Sequence, residues 1–171
     1  MKELALFRHA KSSWKGPPGS DLNRPLSRHG RRSAAQMAGW FAAAGYRPDA
    51  VLCSTAARAR ETFSLVREAL GEPEVHYERA LYLASATRLR QRLRELSGKN
   101  ISVMLIGHNP GLQRLALRLI GERPADARAR VRSKFPTAAF VRFKVKAASW
   151  SDLGPRTANL LDCVYPRDLE S

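Results

Sequence analysis

The sequence predicts an α/β fold in which a mostly parallel central sheet carries helices on both of its faces. Short apolar segments alternate with amphipathic helical segments along most of the chain. Repeated strand–helix units of this kind form parallel sheets, because each helix returns the chain so that the next strand runs in the same direction. The length of 171 residues suits one domain with a substantial core, so we expect a single domain over residues 1–171.

Strands are predicted where short apolar runs lack a helical period. They are placed at residues 3–8, 51–53, 74–78, 101–106, 138–145 and 157–164. The segment 101–106 is the clearest of them, and 74–78 is the weakest. The last two strands follow each other with no helix between them, so we expect one of them to pair antiparallel at an edge of the sheet.

Helices are predicted where apolar residues recur every three or four positions. They are placed at residues 28–44, 56–70, 86–97 and 110–121. Gly45, Gly71 and Gly121 mark the ends of three of these helices. Glycine is common there because it readily adopts the left-handed conformation that closes a helix.

Composition excludes several classes of protein. Hydrophobic residues make up 44% of the chain, and no apolar stretch approaches the roughly 20 residues of a membrane span. Residues 1–4 lack the long apolar segment of a signal peptide. Cys53 and Cys163 each lie in an apolar run and form no metal-binding cluster. We therefore expect two buried free thiols and a cytoplasmic location.

The formal net charge of +15 indicates a nucleic-acid binder, an enzyme for anionic substrates, or a generally arginine-rich composition. In the predicted helix 86–96 the arginines recur at every second residue, which scatters them around the helix. Aromatic residues are 8% of the chain and are not interleaved with the basic ones, as a base-stacking surface would require. We interpret the charge mainly as solvation and substrate attraction, with nucleic-acid binding as the minority hypothesis.

Two predicted strands end in arginine-containing segments that suit a phosphoryl group. Arg8 and His9 follow the first strand. An imidazole can attack phosphorus, and a guanidinium can hold its oxygens. After strand 51–53, a hydroxyl-bearing loop opens a helix with Arg58 in its first turn. The free N–H groups of a helix N-terminus also attract anions, so Arg58 strengthens an anion site there.

His108 follows shortly after a third predicted strand, 101–106, with Asn109 as the expected helix cap and Pro110 at the first helical position. Because parallel strands share one carboxyl edge, these strand ends can converge on a single anion. The loop 16–19 is expected to line the same site. The sequence holds no P-loop motif and no metal-ligand spacing, which argues against P-loop nucleotide hydrolysis and against a metal cofactor.

Three segments resemble the signature segments of the histidine phosphatase superfamily, which includes phosphoglycerate mutases and acid phosphatases. They are residues 8–10, 54–62 and 107–109. Most members have Gly where this chain has Ala10. Further segments are similar to the short bacterial phosphohistidine phosphatases of the SixA type, namely residues 8–14, 21–26, 105–111 and 134–138. The resemblance implies a three-layer α/β/α fold of the phosphoglycerate mutase type and chemistry without a metal or other cofactor.

The resemblance also implies roles for individual residues. His9 would be the nucleophile that becomes transiently phosphorylated. Three further side chains would hold the phosphoryl oxygens and the charge that develops on them: Arg8, Arg58 and His108. Arg24 would lie beside the pocket as a phosphate or substrate contact. The rim would include Lys11, Ser12 and Asn109.

The general acid is where this chain departs from the larger members of the superfamily. Glu78 is the only carboxylate near the expected position and is the candidate for this acid. The alternative, which we favour, is a surface residue paired with Arg79. A phosphohistidine substrate lessens the need for an acid, because imidazole leaves more readily than an alkoxide.

The sequence therefore predicts a metal-independent phosphatase that acts through a phosphohistidine intermediate, with phosphohistidine on a protein, such as a phosphotransfer domain, as the substrate. The alternatives are a phosphatase for a small phosphorylated metabolite and a basic nucleic-acid-binding module. A phosphopeptide-binding pseudoenzyme is a third alternative, against which the intact set of arginines and histidines argues.

Overall fold

Six strands form one mixed sheet at the centre of the computed structural model, which describes residues 1–14, 19–122 and 124–170. The strands are β1 (Lys2–Arg8), β2 (Ala50–Ser54), β3 (Glu74–Glu78), β4 (Ser102–Gly107), β5 (Phe140–Val145) and β6 (Ala158–Val164). The helices are α1 (Arg28–Ala44), α2 (Ala57–Val66), α3 (Ala86–Arg94), α4 (Gly111–Leu119) and α5 (Ala125–Ser133). The predicted α/β class is confirmed.

The sheet has the strand order β3-β2-β4-β1-β5-β6. Strands β3, β2, β4 and β1 run parallel, β5 pairs antiparallel with β1, and β6 pairs antiparallel with β5. As expected, one of the last two strands, β6, pairs antiparallel at an edge of the sheet, and its neighbour β5 also pairs antiparallel with β1. Arg8 lies opposite Gly107 in the register of β1 and β4. The carboxyl ends of β1, β4 and β2 therefore open onto the same edge of the sheet.

Side chains of β1 alternate between two hydrophobic layers. Leu4 and Leu6 pack into a cluster shared with α3, α4 and α5, and Ala5 and Phe7 pack into a second cluster with α1 and α2. Burying one such leucine or phenylalanine stabilises the fold by about 1.5–3 kcal/mol. This alternation, with helices covering both faces, produces the three-layer arrangement.

An aromatic cluster holds Phe7, the residue before Arg8. Its ring centroid lies 5.4 Å from that of Phe41 and 6.2 Å from that of Phe140, both edge-on. Edge-to-face pairs contribute roughly 0.5–1.5 kcal/mol beyond their buried area. The end of β1 is thus anchored just before the chain leaves the sheet.

Two glycines let helix N-termini approach loops at the carboxyl edge. A Cβ at Gly30 would lie 2.0 Å from the carbonyl oxygen of Lys11, and one at Gly111 would lie 2.1 Å from that of Ala84. Any side chain there would push the helix away. Glycine therefore allows α1 to pack against the segment after His9.

The helix ends differ from the predicted ones by a few residues, and α5 was not predicted. After α2 ends at Val66, the chain continues through turns to Gly71, which has a φ of 81°. The α5 helix buries only Val131 among its residues. A helix with so little apolar surface shows no periodic stripe in the sequence.

Cys53 and Cys163 are both free thiols. Cys53 is buried as expected, but Cys163 is only half-buried, so the prediction for Cys163 is wrong in this respect. The reason is that β6, on which it lies, is an edge strand with neighbours on one side. In the described part of the chain, no helix has the length and apolar character needed to cross a membrane.

Candidate active site

His9 directly follows β1 and is buried, with 7% of its surface exposed. Its backbone N–H donates to the carbonyl oxygen of Gly107 at 3.1 Å. Its imidazole Nδ1 lies 2.7 Å from the carbonyl oxygen of Ala10. Because a carbonyl oxygen only accepts hydrogen bonds, Nδ1 carries the proton and Nε2 carries the lone pair. The backbone thus fixes the tautomer in which Nε2 can attack an electrophile.

Both histidines of the site are neutral at pH 7. Burial lowers the pKa of His9 to about 3; the hydrogen bond to Ala10 raises it in part, and the charges of Arg58 and Arg8 lower it further. Burial also lowers the pKa of His108 to about 3, and the charge of Arg58 is the next cause. A neutral imidazole at His9 is the form that a nucleophile requires.

Arg58 lies in the first turn of α2 and is buried. Its Nη1 donates to the carbonyl oxygen of Asp21 at 2.7 Å, and its Nη2 donates to the Oδ2 of Asp21 at 3.0 Å. Thr62, one turn further along α2, donates from Oγ1 to the carbonyl oxygen of Arg58 and accepts the N–H of Ala10. Thr62 therefore ties the helix that carries Arg58 to the segment that follows His9.

His108 follows β4 and faces His9, with their ring centroids 5.1 Å apart. Its Nε2 lies 2.7 Å from Ser54 Oγ at the end of β2, and its Nδ1 lies 3.5 Å from Arg58 Nη2. The three predicted strand ends do converge, since each contributes groups to one small volume. The sequence alone assigns Ser54 no role of its own, although it places Ser54 directly after a predicted strand.

Two buried arginine nitrogens at this site have no hydrogen-bond partner in the described part of the chain. Arg8 donates from Nη1 to the carbonyl oxygen of Phe135 at 3.0 Å. The Nε atoms of Arg8 and Arg58 have no hydrogen-bond partner among the described residues. Buried N–H groups are almost always satisfied. Burial and the charge of Arg58 also lower the pKa of Arg8. Each Nε is therefore a donor available to an oxyanion, and the negative charge of that oxyanion would offset the repulsion between the two cations.

Asp21 and Tyr82 join the site, although sequence reasoning assigned them no role. The Asp21 carboxylate accepts from the Tyr82 hydroxyl and from the guanidinium groups of Arg58 and Arg24. These hydrogen bonds, that of Tyr82 most of all, hold the pKa of Asp21 well below its ordinary value. The Tyr82 ring lies edge-on to that of His108, with centroids 5.5 Å apart. The only signal in the sequence was that Asp21 falls in a segment that carries the family resemblance.

Arg24 and Ser12 lie beside this network. Arg24 donates from Nη1 to Ser12 Oγ at 2.6 Å and from Nε to Asp21 Oδ1 at 3.0 Å. Its guanidinium carbon also lies 3.7 Å from the centroid of the Trp14 ring. Arg24 therefore lies beside the anion site, joined to it through Asp21, and its role as a phosphate or substrate contact stays a prediction.

Asn109 is hydrogen-bonded to the same backbone carbonyl group as Arg8. Its Nδ2 donates to the carbonyl oxygen of Phe135 at 3.0 Å, which also accepts from Arg8. The α4 helix begins at Gly111 with Pro110 as its cap residue, so the predicted cap position lies one residue early. Asn109 Oδ1 still accepts the N–H of Gln113 at 3.3 Å, which is the work expected of a cap.

Glu78 ends β3 and is paired with Arg92, so the expected pairing with Arg79 is wrong. Arg92 donates from Nε to one carboxylate oxygen at 2.7 Å and from Nη2 to the other at 2.8 Å. The α3 helix packs Arg92 against the end of the strand, which sequence spacing could not reveal. Both oxygens of Glu78 are thus occupied, and a role as general acid stays a prediction.

Two further expectations concern metal ions and the loop 16–19. In residues 1–14, 19–122 and 124–170, no group of three or more His, Cys, Asp and Glu side chains is arranged to hold a metal ion. Residues 16–18 of this loop lie outside the described part of the chain, so the expectation that the loop lines the site stays a prediction.

Comparison with known proteins places this site in a family. The sequence profile of the histidine phosphatase superfamily (branch 1) matches residues 4–139. An uncharacterized protein of Mycobacterium tuberculosis is 36% identical over 164 residues, which span 94% of this chain and 100% of that protein.

Solved structures show the same relationship. A candidate phosphohistidine phosphatase SixA from Agrobacterium tumefaciens superposes with a TM-score of 0.81 at 30% identity, covering 96% of this chain and 98% of that one. A candidate SixA from Nakamurella multipartitia gives a TM-score of 0.82 at 26% identity, covering 96% of each chain. Since the profile spans most of the sequence and the site residues fall within it, the chain belongs to the histidine phosphatase superfamily and is of the SixA type.

Proposed function

We propose that this phosphatase removes the phosphoryl group from phosphohistidine on a protein, by way of a transient phosphoryl group on His9 and without a metal ion. The observation that carries the proposal is the state of His9. Its Nδ1 proton is held by the Ala10 carbonyl oxygen, which leaves a lone pair on Nε2. Its neutral imidazole lies close enough to Arg8 and Arg58 for their charges to lower its pKa, and the Nε atoms of both arginines have no hydrogen-bond partner among the described residues. A nucleophile beside an anion cradle suits phosphoryl transfer.

The reaction takes two displacements at phosphorus. In the first, a bond forms between His9 Nε2 and phosphorus, and the phosphorus–nitrogen bond of the substrate breaks. The electron pair goes to the departing imidazole, which leaves neutral when its other nitrogen carries a proton. In the second, water attacks phosphorus, its proton passes to the phosphate product, and the electron pair returns to His9 Nε2. Because the Ala10 carbonyl oxygen keeps the proton on Nδ1, His9 also leaves as a neutral imidazole.

Arg8, Arg58 and His108 stabilise the charge that spreads over the phosphoryl oxygens. The Nε groups of the two arginines are already shielded from water, so they need little reorganisation when charge develops. Asp21 holds Arg58 in place through both its carbonyl and its carboxylate oxygens. Removing one such donor typically costs about a hundred- to a thousandfold in rate.

The carboxylates near the site support phosphohistidine over an ester. Asp21 already accepts three hydrogen bonds, and its pKa is held low. Both oxygens of Glu78 accept from Arg92. Neither group is set up to protonate an alkoxide leaving group, which an ester substrate would need. A protonated phosphohistidine needs no such help.

The test is a comparison of kcat/KM for a phosphohistidine peptide and for a sugar phosphate, with a chelator present throughout. We expect the peptide to be preferred by about a hundredfold or more, the usual contribution of a general acid. A preference for the sugar phosphate would contradict the proposed substrate and support the metabolite phosphatase instead. Loss of all activity in the chelator would contradict the metal-independent chemistry.

A further inference from the structure

Two large apolar side chains next to the active site are exposed to solvent. Trp14 is 82% exposed and Leu83 is 55% exposed. Single exposed apolar residues are common on protein surfaces. These two differ because each is joined to the Asp21 network, one through Arg24 and the other through its neighbour Tyr82.

Trp14 is held in place despite its exposure. Its ring centroid lies 3.7 Å from the guanidinium carbon of Arg24, and Arg24 is fixed in turn by hydrogen bonds to Ser12 and Asp21. A cation–π contact of this kind orients the indole without burying it. An aromatic side chain that is ordered before binding loses little entropy when a partner covers it.

Leu83 is presented by a strained backbone. Its φ of 51° lies in the left-handed region, which is unusual for a bulky side chain. On one side Tyr82 is fixed by its hydrogen bond to Asp21, and on the other Ala84 is pressed against Gly111. Strain of this kind persists where the surroundings impose it, and it clusters at functional sites.

The charge of the protein indicates the chemistry of the partner. The chain has 30 Lys and Arg residues against 15 Asp and Glu residues. Lys11, Arg60 and Arg79 are exposed and lie within three residues of a site side chain along the sequence. An acidic protein surface would complement these cations. A nucleic acid would also do so, and a base could stack on Trp14, but the aliphatic Leu83 suits apolar contact with a protein rather than base stacking.

We propose that Trp14 and Leu83 form a rim that docks onto an acidic protein surface around the phosphorylated residue, and that this rim makes the enzyme select protein-borne phosphohistidine over the free amino acid. The proposal rests on the proposed function and adds the source of its selectivity. Apolar contact at the rim would supply affinity, and the surrounding cations would steer the encounter.

The experiment compares two substrates in matched variants. The substrates are an acidic histidine-phosphotransfer domain, phosphorylated chemically with phosphoramidate, and free phosphohistidine. The variants are Trp14→Ala, Leu83→Ala and, as control, Ile101→Ala. Ile101 is 51% exposed and immediately precedes β4, so it lies at the amino ends of the parallel strands, whereas the active site lies at their carboxyl ends. Thermal unfolding of each variant establishes that it is folded.

We expect Trp14→Ala to raise KM for the phosphorylated domain and to lower the ratio of the two kcat/KM values by about tenfold, as for truncation of an interface anchor. Leu83→Ala should lower the same ratio by a smaller factor. Ile101→Ala should keep the wild-type ratio.

Three results would overturn the rim while leaving the proposed function standing. One is an equal loss on both substrates, which would mean that Trp14 acts on the pocket through Arg24. Another is a wild-type ratio in both rim variants. The third is weaker binding of a single-stranded DNA oligonucleotide with the substrate ratio unchanged, which would assign the surface to nucleic acid. A wild-type enzyme inactive on both substrates would overturn the proposed function and the rim together.

Discussion

The imidazole of His9 donates a 2.7 Å hydrogen bond from Nδ1 to the carbonyl oxygen of Ala10, the next residue in the chain. This contact selects the tautomer that leaves the lone pair on Nε2. It depends on how the Ala10 peptide is held, and Thr62 holds it by accepting the Ala10 N–H at 3.0 Å. The reactivity of His9 is therefore linked to a buried threonine on α2.

Replacing Thr62 by Val should lower kcat by about ten- to a hundredfold, because small displacements of a reacting group have effects of this size. Valine keeps the shape of the side chain but cannot accept the Ala10 N–H. Thr62→Ser keeps the hydroxyl and should restore most of kcat. Steady-state kinetics on both variants check this, and a Val variant with the kcat of the Ser variant would show that Thr62 does not position His9.

Arg8→Ala and Arg58→Ala should each lower kcat/KM by about a hundredfold or more, since each removes a charge-assisted donor to the transition state. Both should also weaken the binding of vanadate, measured by calorimetry. Arg142→Ala is the matched control, because Arg142 lies opposite Ala5 in the register of β1 and β5, short of the carboxyl end of β1, and pairs with Asp162 at 2.7 Å. Vanadate affinity that is unchanged in both site variants would place the anion elsewhere.

The stability of the substrate-free protein should fall as pH drops from about 6.5 toward about 3. The pKa of His108 is lowered from 6.5 to about 3, so the unfolded chain binds the proton in this window and the folded chain does not. Protonation thus favours unfolding, by about 2 kcal/mol between pH 7 and pH 5 for one such histidine.

Denaturant unfolding of His108→Gln at pH 7 and pH 5 tests this effect. The variant should lose about 2 kcal/mol of the wild-type pH dependence. His76→Gln, which replaces an exposed histidine on β3, is the control for the substitution itself. An identical pH dependence in wild type and His108→Gln would contradict the neutral, buried state of His108.

Glu78→Gln should change the hydrolysis of phosphohistidine by only a few-fold, because imidazole leaves without a proton donor at the reacting nitrogen. Arg92→Gln breaks the same ion pair from the other side and is its matched control. If Glu78 is only the partner of Arg92, the two variants should behave alike. A much larger loss in Glu78→Gln on an alkyl phosphate would identify Glu78 as an acid for esters.

The convergence of Arg8, His9, Arg58 and His108 could be predicted because it follows from topology. Each group comes directly after a strand or opens the following helix, and parallel strands share a carboxyl edge. The strands themselves were found from short apolar runs. Local sequence therefore contained the main features of the fold and of the anion site.

The contacts of Asp21, Tyr82 and Glu78 could not be predicted because they join residues far apart in sequence. The hydroxyl of Tyr82 reaches a carboxylate 61 residues away. Arg92 reaches Glu78 across the junction of α3 and β3, in competition with the sequence neighbour Arg79. Such pairings depend on side-chain packing, which hydrophobic periodicity does not encode.

The central claim, that His9 carries the phosphoryl group, is tested most directly by mapping the phosphorylated residue. The protein would be exposed briefly to a phosphohistidine substrate, quenched without acid, and its phosphorylated peptide mapped by mass spectrometry. We predict one acid-labile phosphoryl group on His9, absent from a folded His9→Ala variant that also lacks turnover. A phosphoryl group on another residue, or wild-type turnover in His9→Ala, would contradict this account.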